Sequence, residues 1–326
     1  MLKNIMYARF KIFLIVIVTV ILISCSEKKE QKSEVKPGIN KSPDKISSAG
    51  IKEGETEFRV EYDLPRRIYL IEKEDLNNDG NREIIVLSVL KDTSRKYIDN
   101  TKFDKIEVFA LNAEKKSYEK ILSDTVDFSD TCLFADLGNN KSRQIIIHTN
   151  TLGNDPVTSE GMFIYDMKSP EKIELLKYFD SGAPHIDSLQ NDGRKQIVVS
   201  DTYWGVMPGN EMLIYESGIY QYENNKLEKR NSLFGNFFDK KIKEALDNYT
   251  GIKKKIEMGM QPGNMSFPLY REAAGVVLYH YSKEDLKGLE KFWKEEKDYL
   301  KKSIPQDEFT DLSNFISKIL PVSSNV

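Results

Sequence analysis

Asp75-Leu76-Asn77-Asn78-Asp79-Gly80-Asn81-Arg82-Glu83 runs directly into Ile84-Ile85-Val86. Acidic or amide oxygens fall at every second position, Gly80 allows a sharp turn, and a carboxylate follows three residues later. A hard cation such as Ca²⁺ takes about six to eight oxygen ligands, several of them carboxylate. A loop spaced this way can wrap its oxygens around one ion. The β-branched run behind it reads as a strand, not as the exit helix of a helix–loop–helix calcium site.

The pattern recurs. Asp136-Leu-Gly-Asn-Asn-Lys-Ser-Arg-Gln-Ile-Ile-Ile147 and Ser188-Leu-Gln-Asn-Asp-Gly-Arg-Lys-Gln-Ile-Val-Val199 align with it without a gap, 61 and then 52 residues along. The Leu, the central Asn, a basic residue and the apolar triplet return each time. A second apolar run follows each copy, at 106–110, 162–165 and 212–215, and a third at 117–122, 172–178 and 219–223. Ser217-Gly218 and Asn224-Asn225 read as short turns between strands. Further strands are expected at 58–62 and 68–71. Each copy therefore predicts an antiparallel meander of three or four strands, which cannot bury both faces alone and must stack on its neighbours. An ordinary β-sandwich is the plainer alternative.

The repeated segment resembles the loop and following strands of FG-GAP/VCBS-type β-propeller repeats, as in the integrin α-chain propeller. The resemblance covers about 175 residues and implies a mainly β fold, a partial or small β-propeller-like array of antiparallel blades, across residues 56–232. Three copies are fewer than the roughly four to eight blades of a closed propeller, so the expectation covers an open fan, closure by a degenerate blade, or cover by the C-terminal region. Carried over position by position, the resemblance implies that Asp75, Asn77 and Asp79 offer side-chain oxygens to Ca²⁺, Asn81 its backbone carbonyl, and Glu83 the closing carboxylate. The family usually has Asp at that last position. A metal-free turn held by Asx hydrogen bonds is the alternative. The second loop keeps only Asp136 as a carboxylate, with Gly138, Asn140 and Gln144 at the other ligand positions. The third keeps only Asp192, with Ser188, Gln190 and Gln196. One carboxylate each is too little charge for a strong site, so amide side chains are expected to hold those two turns, leaving one ion for the chain rather than three.

Residues 233–326 change character. Phe237, Phe238, Ile242, Leu246 and Tyr249 recur at helical spacing, with Gly251 as a stop. Residues 268–281 favour a helix. Ser282-Lys283-Glu284-Asp285 resembles a capping box ahead of a helix to Lys302, and Phe309, Leu312, Phe315, Ile316 and Ile319 mark a last helix before Pro321. These stripes read as packing faces, with partner docking by the last helices as a further possibility.

The amino terminus carries an address. Lys3, Arg9 and Lys11 precede an apolar run at 12–23 that is too short to span a bilayer with ease and has the length of a signal-peptide core. Leu22-Ile23-Ser24-Cys25 resembles the lipobox of bacterial lipoproteins, which implies cleavage before Cys25 and lipid on its thiol; a plain signal peptide or N-terminal anchor is the alternative. Residues 25–55, rich in Lys, Glu, Ser, Pro and Gly, read as a disordered tether of roughly 30 Å r.m.s. span. Ser26 suits sorting to the outer membrane or cell surface. Cys132, the other cysteine, then has no partner and reads as a buried, inert thiol.

Of 326 residues, 40% are hydrophobic and 10% aromatic, enough for a normal core. Removing residues 1–24 takes the formal net charge from −3 to −6, and an acidic surface argues against a nucleic-acid partner. His148, His185 and His280 form no metal-ligand spacing in the sequence, and no Gly-x-Ser-x-Gly, His-Glu-x-x-His or P-loop pattern is present. The loops at 149–160 and 202–210 carry exposed-type residues, with Tyr203 and Trp204 as candidate ligand-binding aromatics or as mere cover for a sheet end. The expected function is a lipid-anchored envelope binding or scaffold protein with a protein or glycan ligand. A carboxylate-based polysaccharide hydrolase, with two acids facing across a cleft, is the alternative.

Overall fold

The computed structural model describes residues 49–53, 56–60, 66–90, 102–151, 153, 155–203, 213–259 and 265–320. The signal segment, Cys25, most of the expected tether and Trp204 lie outside the described residues. Ala49–Glu53, within the stretch read as tether, forms strand β1 and pairs antiparallel with β2 (Thr56–Val60).

Strands β3 (Arg66–Glu74), β4 (Glu83–Leu90), β5 (Phe103–Asn112), β6 (Ser117–Ala135), β7 (Gln144–Asn150), β8 (Glu160–Ser169) and β9 (Lys172–Phe179) form one antiparallel sheet in chain order. A one-turn helix, α1 (Pro156–Ser159), precedes β8. A second sheet holds β10 (His185–Asp187), β11 (Gln196–Tyr203), β12 (Leu213–Glu223) and β13 (Lys226–Lys229), again antiparallel in chain order. The 19-residue β6 serves two groups of strands: its first part pairs with β5 and its last part, from Ser129, with β7. The described residues thus form three four-stranded units, and in each the repeated loop joins the first strand to the second: β3 to β4, β6 to β7, β10 to β11.

Burial shows how the units stack. Side chains alternate across a strand. Ile84 and Val86 of β4 pack with Phe58 and Val60 of the β1–β2 hairpin, while Ile85 and Leu87 pack with Ile145 and Ile147 of β7. Ile146, on the other face of β7, packs with Ile197 of β11 and Tyr222 of β12. A strand buried on both faces reads as a continuous apolar run, which is why the triplets after the loops carry no polar alternation. The last unit presents Ile219 to Phe234 and Phe238 at the start of the helical region. Hairpin, three units and helices therefore form successive layers, with the hairpin covering one end and helices the other. Uncovered, each large apolar side chain there would forfeit about 1.5–3 kcal/mol.

The described residues after 234 form helices α2 (Gly235–Glu257), α3 (Ser266–Ser282), α4 (Leu286–Ser303) and α5 (Gln306–Ile319). A 3₁₀ turn, Asn231–Phe234, leads into α2. Helix α3 is apolar on nearly all sides and is buried among the others. Trp293 stacks on Phe309 and Phe315 packs edge-on against Tyr203, so the stripes of the last helices pack, partly buried, on the helical core and on β11.

Three local expectations differ from the structure. Helix α2 continues through Gly251, because Ile252 and Ile256 beyond it pack on the helical core; that burial exceeds the roughly 1 kcal/mol that an interior glycine costs. Ser217-Gly218 is not a turn but an irregularity within β12, where Ser217 is skipped in the register with β11. Asn224-Asn225 is the true turn, with positive φ at both residues (52° and 61°), as a two-residue hairpin requires. The cap of α4 is Asp285, whose carboxylate accepts the Gly288 N–H at 2.9 Å; Ser282 ends α3 instead. Among the described residues no helix is long and apolar enough to cross a membrane.

Candidate functional site

The first two loops share one hydrogen-bond scheme, and the third keeps part of it. In the first, Asp75 accepts the N–H groups of Asp79 (3.1 Å) and Gly80 (2.9 Å), and Asp79 accepts that of Asn81 (2.7 Å). In the second, Asp136 accepts from Asn140 (3.1 Å) and Lys141 (2.6 Å), and Asn140 from Ser142 (3.1 Å). In the third, Asp192 accepts from Arg194 at 3.0 Å, the equivalent bond. The residue after the central pair is left-handed each time: Gly80, Lys141 and Gly193 at φ 90°, 69° and 80°. This is Asx-turn chemistry, in which a short side chain stands in for a backbone acceptor.

The end of each loop is pinned the same way. Oε2 of Glu83, Oε1 of Gln144 and Oε1 of Gln196 accept the N–H of Leu76, Leu137 and Leu189 at 2.9, 3.0 and 2.9 Å. All three acceptors are buried. In the second and third loops this is the amide-held turn expected from the sequence. In the first, burial raises the Glu83 carboxyl above its ordinary range, the Leu76 N–H opposes that rise, and Asp79 and Asp75 add to it. The recurrence of Glu or Gln seven residues after Leu was the sequence signal for this backbone role.

Neighbouring loops are also tied together by equivalent bonds. Arg143 donates its N–H to the Leu76 carbonyl at 2.7 Å, and Lys195 donates its N–H to the Leu137 carbonyl at 3.2 Å. The recurring basic residue thus marks a junction between units, and the Arg143 side chain forms an ion pair with Glu74 of the preceding unit.

Asp75, Asn77 and Asp79 are brought together at the loop 1 surface: Asn77 Oδ1 accepts the Asp79 N–H at 3.0 Å, and Asn77 Nδ2 donates to Asp79 Oδ2 at 2.9 Å. Their donors are hard oxygens only, the chemistry Ca²⁺ takes. Asn81 is exposed, and Glu83 faces the loop backbone through Oε2. Among the described residues no group of three or more His, Cys, Asp or Glu side chains gathers with metal-ligand geometry. In the third loop the Asp192 carboxylate is engaged by Arg194, which holds its pKa below the usual range.

Loops 1 and 2 enclose a cleft of about 560 Å³, lined by Lys73, Glu74, Asp75, Asn78, Arg82, Asp136, Lys141 and Arg143. A second pocket, of about 350 Å³, is lined by Asp130, Thr131, His148, Thr149, Asn150 and Glu160, where β7 enters the 149–160 loop. Burial lowers the His148 pKa, Asp130 and Glu160 act to raise it, and His185 acts to lower it. The fold therefore brings together Asp130, His148 and Glu160, which lie apart in the chain. His280 is separate, buried on α3 with Nδ1 at 3.1 Å from Asp285.

Tyr203 is not free on a loop. Its hydroxyl donates to Asp311 of α5, and its ring packs on Phe315. Cys132 packs beside the cluster between the first two units, and burial, reinforced by Glu72, pushes its thiol up to about 12, which keeps it protonated and unreactive. The chain matches no protein-family model, and no curated protein shows significant similarity to it.

Proposed function

We propose that this chain is a non-catalytic binding or scaffold module of the bacterial cell envelope, anchored by lipid on Cys25, with one structural Ca²⁺ held by loop 1. In this reading the three units are blades of an open β-propeller-like fan, closed off at its ends by the hairpin and the helices. The observation that carries it is the loop scheme, present in the first two loops and kept in part in the third, with equivalent bonds between successive loops, while loop 1 alone keeps several carboxylates. Asp75, Asn77 and Asp79 are the residues that would hold the ion, with Asn81 and Glu83 completing the set by resemblance. The ion would cross-link the loop and neutralise its acidic groups. The ligand, a protein or glycan, would meet the loop face.

Thermal unfolding of the chain from Ser26 onward tests the metal. A site at about 100 times its dissociation constant adds about 2.7 kcal/mol. Calcium should raise the midpoint of the parent relative to chelator and leave Asp79→Ala unmoved. Equal midpoints in the parent with and without calcium would sink the metal reading.

A second reading, a carboxylate-based polysaccharide hydrolase, draws on the pocket in which Asp130 and Glu160 both act on His148. Release of reducing sugar from an envelope polysaccharide, abolished in Glu160→Gln and Asp130→Asn, would support it. Activity unchanged by both substitutions would remove it.

A further inference from the structure

We infer that the cleft between loops 1 and 2 binds an acidic saccharide, a sugar chain bearing carboxylate groups. This rests on the binding-module reading and names the ligand class for it.

The two junctions between successive loops share the backbone bond but differ in what lies over it. At the second junction Asn139 reaches across and donates through Nδ2 to the Asp192 carbonyl at 3.0 Å, and Gly193 sits so close that a Cβ there would stand 2.7 Å from the Asn139 amide. Arg194 is folded onto its own Asp192. At the first junction the equivalent of Asn139 is Asn78, which lines the open cleft instead. Asn139 thus fills the space over the second junction, whereas at the first the loops are linked lower down, by Arg143 to Glu74 and by Ser142 Oγ to the Leu76 carbonyl at 3.2 Å, and a cleft is left beside Asn78.

The charges in the open cleft are unequally engaged. Both oxygens of Asp75 and both of Asp136 accept backbone N–H groups of their own loops, and Glu74 is paired with Arg143. Among the described residues no carboxylate lies within ion-pair distance of Arg82 or Lys141, and both side chains are exposed. Cations without carboxylate partners, beside carboxylates already engaged, draw an anion.

The lining also selects the kind of anion. Its volume suits a small ligand, and every lining residue is charged or amide-bearing, so polar contacts dominate and apolar surface comes mainly from the Lys and Arg stems. Three carboxylates in the wall offer acceptors and disfavour a compact, multiply charged anion with few donors, such as inorganic phosphate. A saccharide with carboxylates supplies hydroxyl donors for Glu74, Asp75 and Asp136 and carboxylate acceptors for Arg82 and Lys141, whose charged hydrogen bonds are the strong ones.

The test is calorimetric titration of the purified protein with tri-galacturonic acid, with neutral maltotriose and inorganic phosphate as comparison probes, in chelator and again in calcium. The expected result is binding of the acidic trisaccharide only, weakened by salt, with Kd raised at least tenfold in Arg82→Gln/Lys141→Gln and unchanged in Lys195→Gln at the second junction. Equal binding of maltotriose, tighter binding of phosphate, no binding of the acidic trisaccharide, or an unaltered Kd in the double variant each overturns it. Absence of a calcium-dependent midpoint overturns only the metal reading, since the trisaccharide titration in chelator stands apart from it.

Discussion

The carboxylate of Glu83 accepts the backbone N–H of Leu76 at 2.9 Å from a position where its own side chain is almost wholly buried. The other two loops make this bond with a glutamine. A charge is therefore buried where a neutral amide performs the same task. In chelator, Glu83→Gln should raise the unfolding midpoint at pH 7, whereas Glu83→Ala, which strands the Leu76 N–H, should cost about 1–3 kcal/mol. The pH dependence has a definite sign. A carboxyl whose pKa is raised on folding holds its proton more tightly in the folded state, so its contribution to stability falls as pH rises from the unfolded pKa through the folded one. Midpoints measured from pH 4 to 8 should fall across that window in the parent and be flatter in Glu83→Gln.

Asn231 joins the last sheet to the helices. Its Oδ1 accepts the Ile219 N–H at 2.8 Å, and its Nδ2 donates to the carbonyls of Ser217 (2.9 Å) and Ser282 (2.6 Å). The residue is buried, so Asn231→Ala removes three hydrogen bonds to backbone groups in a place screened from water. A loss of about 2–4 kcal/mol in urea unfolding is expected. A loss below about 0.5 kcal/mol, the scale of a plain surface change, would show that the junction is carried by Phe234 and Phe238 alone.

Asp311 fastens α5 to the sheet and to α3, accepting hydrogen bonds from the hydroxyls of Tyr203 on β11 and Tyr270 on α3, the latter at 2.8 Å. Burial and the Asp311 carboxylate both hold Tyr203 in its protonated, donating form. Asp311→Ala should cost about 2–3 kcal/mol and speed amide exchange across α5 first, while Asp311→Asn, which keeps an acceptor oxygen, should lose less. Uniform acceleration across the whole chain would count against a local fastening.

Glu308 is buried near the start of α5 with Oε2 lacking a hydrogen-bond partner. Burial, with Asp307 beside it, pushes its carboxyl from the ordinary 4.5 up to about 7. Because the raised pKa belongs to the folded state, stability should decline as pH climbs from about 4.5 to 7 and level off above. Glu308→Gln removes the charge and should be more stable than the parent at pH 8 by roughly 1–2 kcal/mol, with no difference near pH 4. Equal midpoints at pH 8 would mean that water reaches the carboxylate.

Much of the fold was legible because the information is local. The triplets after each loop, the Asn-Asn turn and the helical stripes from Phe238 and Phe309 follow from periodicity and turn chemistry, which act over a few residues. The errors fall where distant contacts override local preference. Gly251 does not stop α2, because Ile252 and Ile256 are buried by helices later in the chain. Asp285 rather than Ser282 caps α4, because Ser282 is already the last residue of α3. Tyr203 seemed a loop aromatic until Asp311, 108 residues away, claimed its hydroxyl.

The sequence by itself determined the three-fold loop, the strands it feeds, the change to helices after residue 232 and the inequality of the loops, since only the first keeps Asp75 and Asp79 together with Glu83. Tertiary structure decided the rest. It turned Glu83 onto Leu76, left a cleft between the first two loops where Asn139 fills the space between the next two, gathered Asp130, His148 and Glu160 at one pocket, and put helices over the last unit. A side chain's spacing fixes which face it takes. Its partner, its burial and its charge state are set by whatever the rest of the chain packs against that face, and no local pattern encodes that.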